Sequence, residues 1–75
     1  MIDNTECLIG FGTFIKAGRE RLNLLQGEVA QSLDITQQYY SLIESGKRNV
    51  DLVLAMRICE VLHLNMSDYI GTYLN

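Results

Sequence analysis

Apolar residues recur along most of this chain at steps of three and four, the period of a helix with one buried face. In the first stretch Phe11, Ile15 and Leu22 fall on one stripe, with Lys16, Glu20 and Arg21 off it. This predicts a helix from roughly Glu6 to Leu22. Gly10, Gly12 and Gly18 weaken it, by up to ~1 kcal/mol each relative to Ala. A second, short helix opens at Gln26-Gly27-Glu28, buries Val29, Ala30 and Leu33, and ends at Asp34. Glu28 lies in its first turn, where the helix dipole favours a carboxylate. A third begins at Thr36, a good N-cap, turns Tyr40 and Ile43 inward, and has Gly46 where a C′ residue would stand. Val50 to Leu54 could pass for a strand. The stripe of Leu52, Ala55, Ile58, Cys59 and Leu62 decides instead for a fourth helix starting near Asp51. A fifth starts near Asn65, with Asp68 as a capping-box-like partner and Tyr69, Ile70, Tyr73 and Leu74 on its apolar side. With no proline to interrupt them, five short helices make an all-α domain spanning residues 1–75.

Composition narrows the class. Of 75 residues, 48% are hydrophobic and 20% charged, the mix of a globular chain rather than a disordered or membrane-spanning one. So short a chain needs a staple: disulfides, a metal, a partner or well-matched helices. Two cysteines, Cys7 and Cys59, are too few for a secreted disulfide scaffold, and the single histidine leaves a zinc site one ligand short. The reading is two reduced thiols, Cys59 in the core and Cys7 in an N-terminal turn, and no metal. His63 stands at the end of the fourth helix as a dipole partner. Asp3 and Glu6 precede the apolar run Leu8-Ile9-Gly10-Phe11, where a signal peptide would be positive, and no stretch reaches the ~18 apolar residues of a membrane span. A cytoplasmic protein is expected, with no cofactor, small-molecule ligand or membrane partner. Neither a nucleophile–base spacing nor a phosphate-cradling loop points to an enzyme. The net charge of −3 argues against coating nucleic acid by bulk charge, but leaves room for a local DNA face.

Helices two and three carry the functional signal. Only Asp34 and Ile35 separate Leu33 from Thr36, so the two must cross steeply, the geometry of a helix-turn-helix over about residues 25–45. Helices over about 51–74 follow it. The outward face of the second helix of the pair begins Thr36-Gln37-Gln38. A glutamine amide is donor and acceptor together, and pairs bidentately with adenine N6 and N7 in the major groove.

The run Leu24-Leu25-Gln26-Gly27-Glu28-Val29-Ala30, followed by Ile35-Thr36-Gln37-Gln38-Tyr39-Tyr40-Ser41-Leu42-Ile43-Glu44-Ser45-Gly46-Lys47-Arg48-Asn49, resembles the Cro and phage-repressor (XRE) family of helix-turn-helix transcriptional regulators. The likeness covers roughly residues 11–71. It implies a five-helix, lambda-repressor-like DNA-binding fold. It also implies that Gln37, Gln38 and Leu42 read bases, the leucine through apolar contact with a thymine methyl. Gln26, Thr36, Tyr39, Lys47, Arg48 and Asn49 would hold the DNA backbone, Gln26 at the anion-attracting start of a helix. Arg19 and Glu44 would form a buried salt bridge between the first and third helices. Three positions depart from the family pattern: Leu25 replaces a capping Ser or Thr, Asp34 a Gly, and Val50 a common Pro.

The resemblance implies a repressor or controller that binds an inverted-repeat operator in double-stranded DNA as a homodimer. Met66, Tyr69, Tyr73 and Leu74 are the candidate dimer contacts. Phage repressors, controllers of restriction-modification systems and antitoxins share this format. The competing expectation is an antitoxin-like protein-interaction module whose main partner is a protein, which the acidic surface favours.

Overall fold

A computed structural model describes residues 3–73. Five helices follow in order: α1 (Asn4–Arg21), α2 (Gln26–Leu33), α3 (Gln37–Glu44), α4 (Leu52–Val61) and α5 (Met66–Tyr73). No strand occurs among the described residues. α1 begins two residues before the expected start, because the Asp3 carboxylate caps it by accepting the Glu6 N–H at 2.8 Å. Thr36 and Asp51 cap α3 and α4 as expected, through the Tyr39 and Leu54 N–H groups. Leu25 gives α2 no side-chain cap, and only Glu28 reaches back, accepting the Leu25 N–H at 2.8 Å. At α5, Asn65 Oδ1 accepts from the Ser67 N–H and hydroxyl; the reciprocal bond expected of Asp68 is not among those observed.

The exits of the first four helices use one device. A residue with left-handed backbone follows each helix: Asn23 (φ 58°), Asp34 (φ 58°), Gly46 (φ 75°) and His63 (φ 56°). The next N–H then bonds five residues back: Leu24 to Arg19, Ile35 to Ala30, Lys47 to Leu42 and Leu64 to Cys59, at 2.8–3.2 Å. This is the Schellman closure, which satisfies carbonyls left over at a helix end. Its usual hydrophobic contact is made by Leu24, Ile35 and Leu64, all packed on the core. His63 supplies the left-handed residue of the turn after α4. Asp34 supplies the left-handed turn expected where the family has Gly, a conformation Asp tolerates better than most residues.

The core unites Phe11 and Ile15 of α1, Val29, Ala30 and Leu33 of α2, Tyr40 and Ile43 of α3, Leu54, Ala55, Ile58 and Cys59 of α4, Leu62 and Tyr69. α1 packs on α3 and α5, and α2 on α3 and α4. Gly12, a weak point in the isolated helix, is required by this packing. A Cβ there would stand 2.7 Å from the Ile43 carbonyl oxygen, so α1 and α3 meet backbone to backbone.

Several expectations change. Leu22, Leu52 and Ile70 are exposed, not core. Leu22 has left the α1 axis at its C-cap, Leu52 stands at the edge of the buried arc of α4, and Ile70 falls on the outer side of α5. Cys7 lies within α1, its Sγ 3.3 Å from the Tyr69 hydroxyl, which in turn donates to the Cys7 carbonyl at 2.7 Å. Tyr69 is therefore not a surface contact for a second subunit. Its ring is buried against Phe11 (5.6 Å, 77°) and Phe14 (5.4 Å, 39°). Met66 is half-buried on the same core. The side chain of Tyr73, and Leu74 as a whole, lie outside the described residues.

Candidate nucleic-acid interface

α3 buries Tyr40, Ile43 and Glu44 and turns the rest of its surface outward. Three consecutive residues set its inner end. Ile43 enters the core, Glu44 enters a polar pocket, and Ser45 closes the helix. Arg19 of α1 meets Glu44 in a fork: Nε to Oε2 at 2.6 Å and an NH2 nitrogen to Oε1 at 3.0 Å. The same guanidinium donates to the Leu24 carbonyl at 2.8 Å, tying the α1–α2 turn into the pair. The side chains are 11% and 3% exposed, so this is the buried bridge that the resemblance implies.

Burial alone pushes the Glu44 carboxyl up. Hydrogen bonds from Arg19 and Gln26 and the Arg19 charge overcome it and hold the group below its ordinary value. Arg19 moves up, chiefly through its hydrogen bond to Glu44. The buried Tyr40 hydroxyl stands beside this pair and is pushed far up, first by burial and then by the carboxylate. It has no hydrogen bond of good geometry among the described residues.

The Gln26 side chain donates Nε2 to Glu44 Oε1 at 3.0 Å. One amide hydrogen is therefore committed inward. The other, with the orphan backbone N–H groups of the first turn of α2, remains for an anion. The Gln37 amide lies across the backbone of Gly27, where an added Cβ would be 3.1 Å from its Oε1.

These side chains line a run of shallow hollows. Gln26, Gln37, Gln38, Ser41 and Leu42 form one. It shares Gln38 and Leu42 with a second, completed by Thr36, Tyr39 and Arg48. It shares Gln26 and Gln37 with a third, which runs along α2 past Leu25, Gly27, Glu28 and Gln31 to Arg19. Seven of the nine residues assigned to DNA are thus brought onto one continuous surface. Lys47 and Asn49 are exposed beyond α3 and stand outside these hollows. Arg48 lies over the Tyr39 ring, 5.1 Å from its centroid, which fixes a cation at the rim. The Thr36 hydroxyl oxygen accepts from the Tyr39 N–H, and its own hydrogen remains for donation. Ser41, Leu25 and Gln31 were not foreseen here. Helical spacing could have found Ser41, which follows Gln37 by four and Gln38 by three.

The surface offers amides and hydroxyls at its centre and a cation at its edge, the chemistry that base edges and phosphates require. A helix-turn-helix family model matches residues 15–69, most of the chain. A control protein of Mycoplasma sp., C.MunI, is 41% identical over 61 residues, covering 80% of this chain and 82% of that protein. With a helical pair of this geometry and a match of this extent, the chain belongs to the XRE-type helix-turn-helix family and is a small DNA-binding transcriptional regulator.

Proposed function

We propose that this regulator is of the controller type and acts in the cytoplasm as a homodimer on an inverted-repeat operator. The continuous surface joining Gln26 to Gln37, Gln38 and Leu42 is the observation that carries the reading. Gln37 and Gln38 pair with base edges in the major groove, and Leu42 packs on a thymine methyl. Gln26, Thr36, Tyr39, Lys47, Arg48 and Asn49 hold the phosphates and set the register. One such helix reads only a few base pairs. Two, related by a two-fold axis, read half-sites ~34 Å apart. The likeness to a protein named as a control protein favours a controller over a phage repressor or an antitoxin. We propose no catalytic role.

The net charge of −3 is compatible with this reading, because the hollows along α3 carry no unpaired carboxylate, and Glu28 lines only their extension along α2. Glu44 is paired with Arg19, while Arg48 sits at the rim. Non-specific binding is then weak and its dependence on salt shallow. Selection of bound sequences from random DNA tests the proposal, with an inverted repeat as the expected product. Enrichment of no inverted repeat at low salt would overturn it.

A further inference from the structure

The buried pair beneath α3 holds more than the two helices it joins. Glu44 Oε2 accepts from Arg19 Nε at 2.6 Å. Its Oε1 accepts from two side chains, an Arg19 NH2 nitrogen and Gln26 Nε2, each at 3.0 Å. The guanidinium also donates to the Leu24 carbonyl, which fixes the turn just ahead of α2. Glu44 is buried, whereas Gln26 is half-buried and lines the hollows it shares with Gln37 and Gln38. Gln26 thus links the polar pocket to the outer surface. An ionised carboxylate only accepts hydrogen bonds, so the amide must meet it with nitrogen and turn its oxygen elsewhere. One bond therefore settles both which way round the amide lies and where its second N–H points. Stability does not call for charges here, since a buried bridge is often replaced by apolar residues at no loss. An apolar pair would seat α3 but would offer Gln26 no acceptor.

We infer that Glu44, clamped by Arg19, is a positioning residue for DNA binding, acting through Gln26 by fixing its amide for a backbone phosphate. The inference rests on the proposed grip of Gln26 on the DNA backbone and supplies the means of that grip. A loose glutamine side chain must be immobilised when it binds, and that cost recurs at each half-site. With the anchor in place the side chain is ordered on folding instead. Leu25 gives α2 no side-chain cap, so first-turn N–H groups are left to join the same amide on the phosphate.

The test is a double-mutant cycle in gel-shift titrations on a duplex carrying the selected inverted repeat, with Arg19→Met plus Glu44→Leu as the second background. In the wild type, Gln26→Ala is expected to weaken binding ~10-fold, one ordered side chain being lost in each subunit. In the apolar background the same change should cost no more than ~2-fold. Gln38→Ala should cost the same factor in both, because its exposed side chain does not rest on Glu44. An equal cost of Gln26→Ala in the two backgrounds overturns the inference and leaves the phosphate grip standing. A Gln38→Ala cost that vanishes as well also overturns it, since the pair would then act only by seating α3. No effect of Gln26→Ala in the wild type overturns the grip and the inference together. A second measurement needs no variant. NMR relaxation of the side-chain amides in the DNA-free protein should show Gln26 rigid, and the exposed Gln31 and Gln38 mobile, on the ps–ns scale. A Gln26 amide as mobile as theirs overturns the inference.

Discussion

α3 and α4 are neighbours in the chain and are built alike up to a point. Each has a side-chain N-cap, an inner face in the same core, and a Schellman exit. They differ in what they turn outward. α3 shows glutamine amides, a serine and the edge of one leucine, whereas α4 shows Leu52, Val53 and Met56. The turns that follow differ in the same sense. Leu64, after α4, returns to the core, but at the matching position after α3 the chain places Lys47, exposed. The lesson is that half of each helix is fixed by the fold, and the other half by what the helix meets. Amides are suited to base edges that stay hydrogen-bonded and wet. Hydrocarbon is suited to a surface that excludes water.

The largest break in this comparison comes from beneath α3. Arg19→Met leaves Glu44 buried without its charge partner and should cost roughly 3–5 kcal/mol. The melting temperature should fall sharply, and Arg19→Met with Glu44→Leu should recover most of it. Equal melting of wild type and Arg19→Met would show that the bridge is not what seats α3. Gly12→Ala strikes the same junction from the α1 side. Forcing the two backbones apart should cost about 1–3 kcal/mol in thermal or urea unfolding, although the same exchange stabilises an open helix. A stability equal to or above wild type would contradict the backbone contact.

A finer cut separates reading from folding. Gln38→Ala on the exposed start of α3 should leave unfolding within about 0.5 kcal/mol of wild type. It should nonetheless lose ~1–3 kcal/mol of discrimination between cognate and mutated operators in competition gel shifts. Unchanged discrimination would remove Gln38 from the reading face. The smallest expected effect is on pH. Glu44 is held below its ordinary value of 4.5 in the folded state. Its contribution is therefore present above 4.5 and lost as pH falls through the lower, folded value. Melting temperatures of wild type should drop over that acid range, and those of Arg19→Met with Glu44→Leu should drop less. Parallel curves would place the acid sensitivity elsewhere.

The helices, their caps at Thr36 and Asp51, the turn at Gly46 and the pairing of α2 with α3 were all legible in the sequence. They rest on local chemistry: a 3.6-residue period, a hydroxyl or carboxylate at a helix start, a residue that tolerates left-handed backbone at its end. For the same reason Gln37, Gln38 and Leu42 could be put on one outward face. Gly46 was readable as a turn residue, but a Cβ there would also come within 2.8 Å of Ile9 Cα, which no local pattern reveals.

What period alone does not reveal is which neighbour a side chain meets. Tyr69 and Ile70 look equivalent as apolar residues of the last helix, yet one is buried between Phe11 and Phe14 and the other is bare. Leu52 sits in the same register as core residues of α4 but at the edge of its arc, and packing left it outside. Gln26 reads as a phosphate ligand, while the fold also commits one of its hydrogens to Glu44. The sequence by itself therefore determined the helices, the helix-turn-helix and its polar outward face, because each follows from residues within a few positions of one another. The tertiary structure decided the Gln26–Glu44–Arg19 network, the inward turn of Tyr69 and the bare apolar side of α4. Those depend on how α1, α4 and α5 close on the pair, across distances along the chain that no helical period spans.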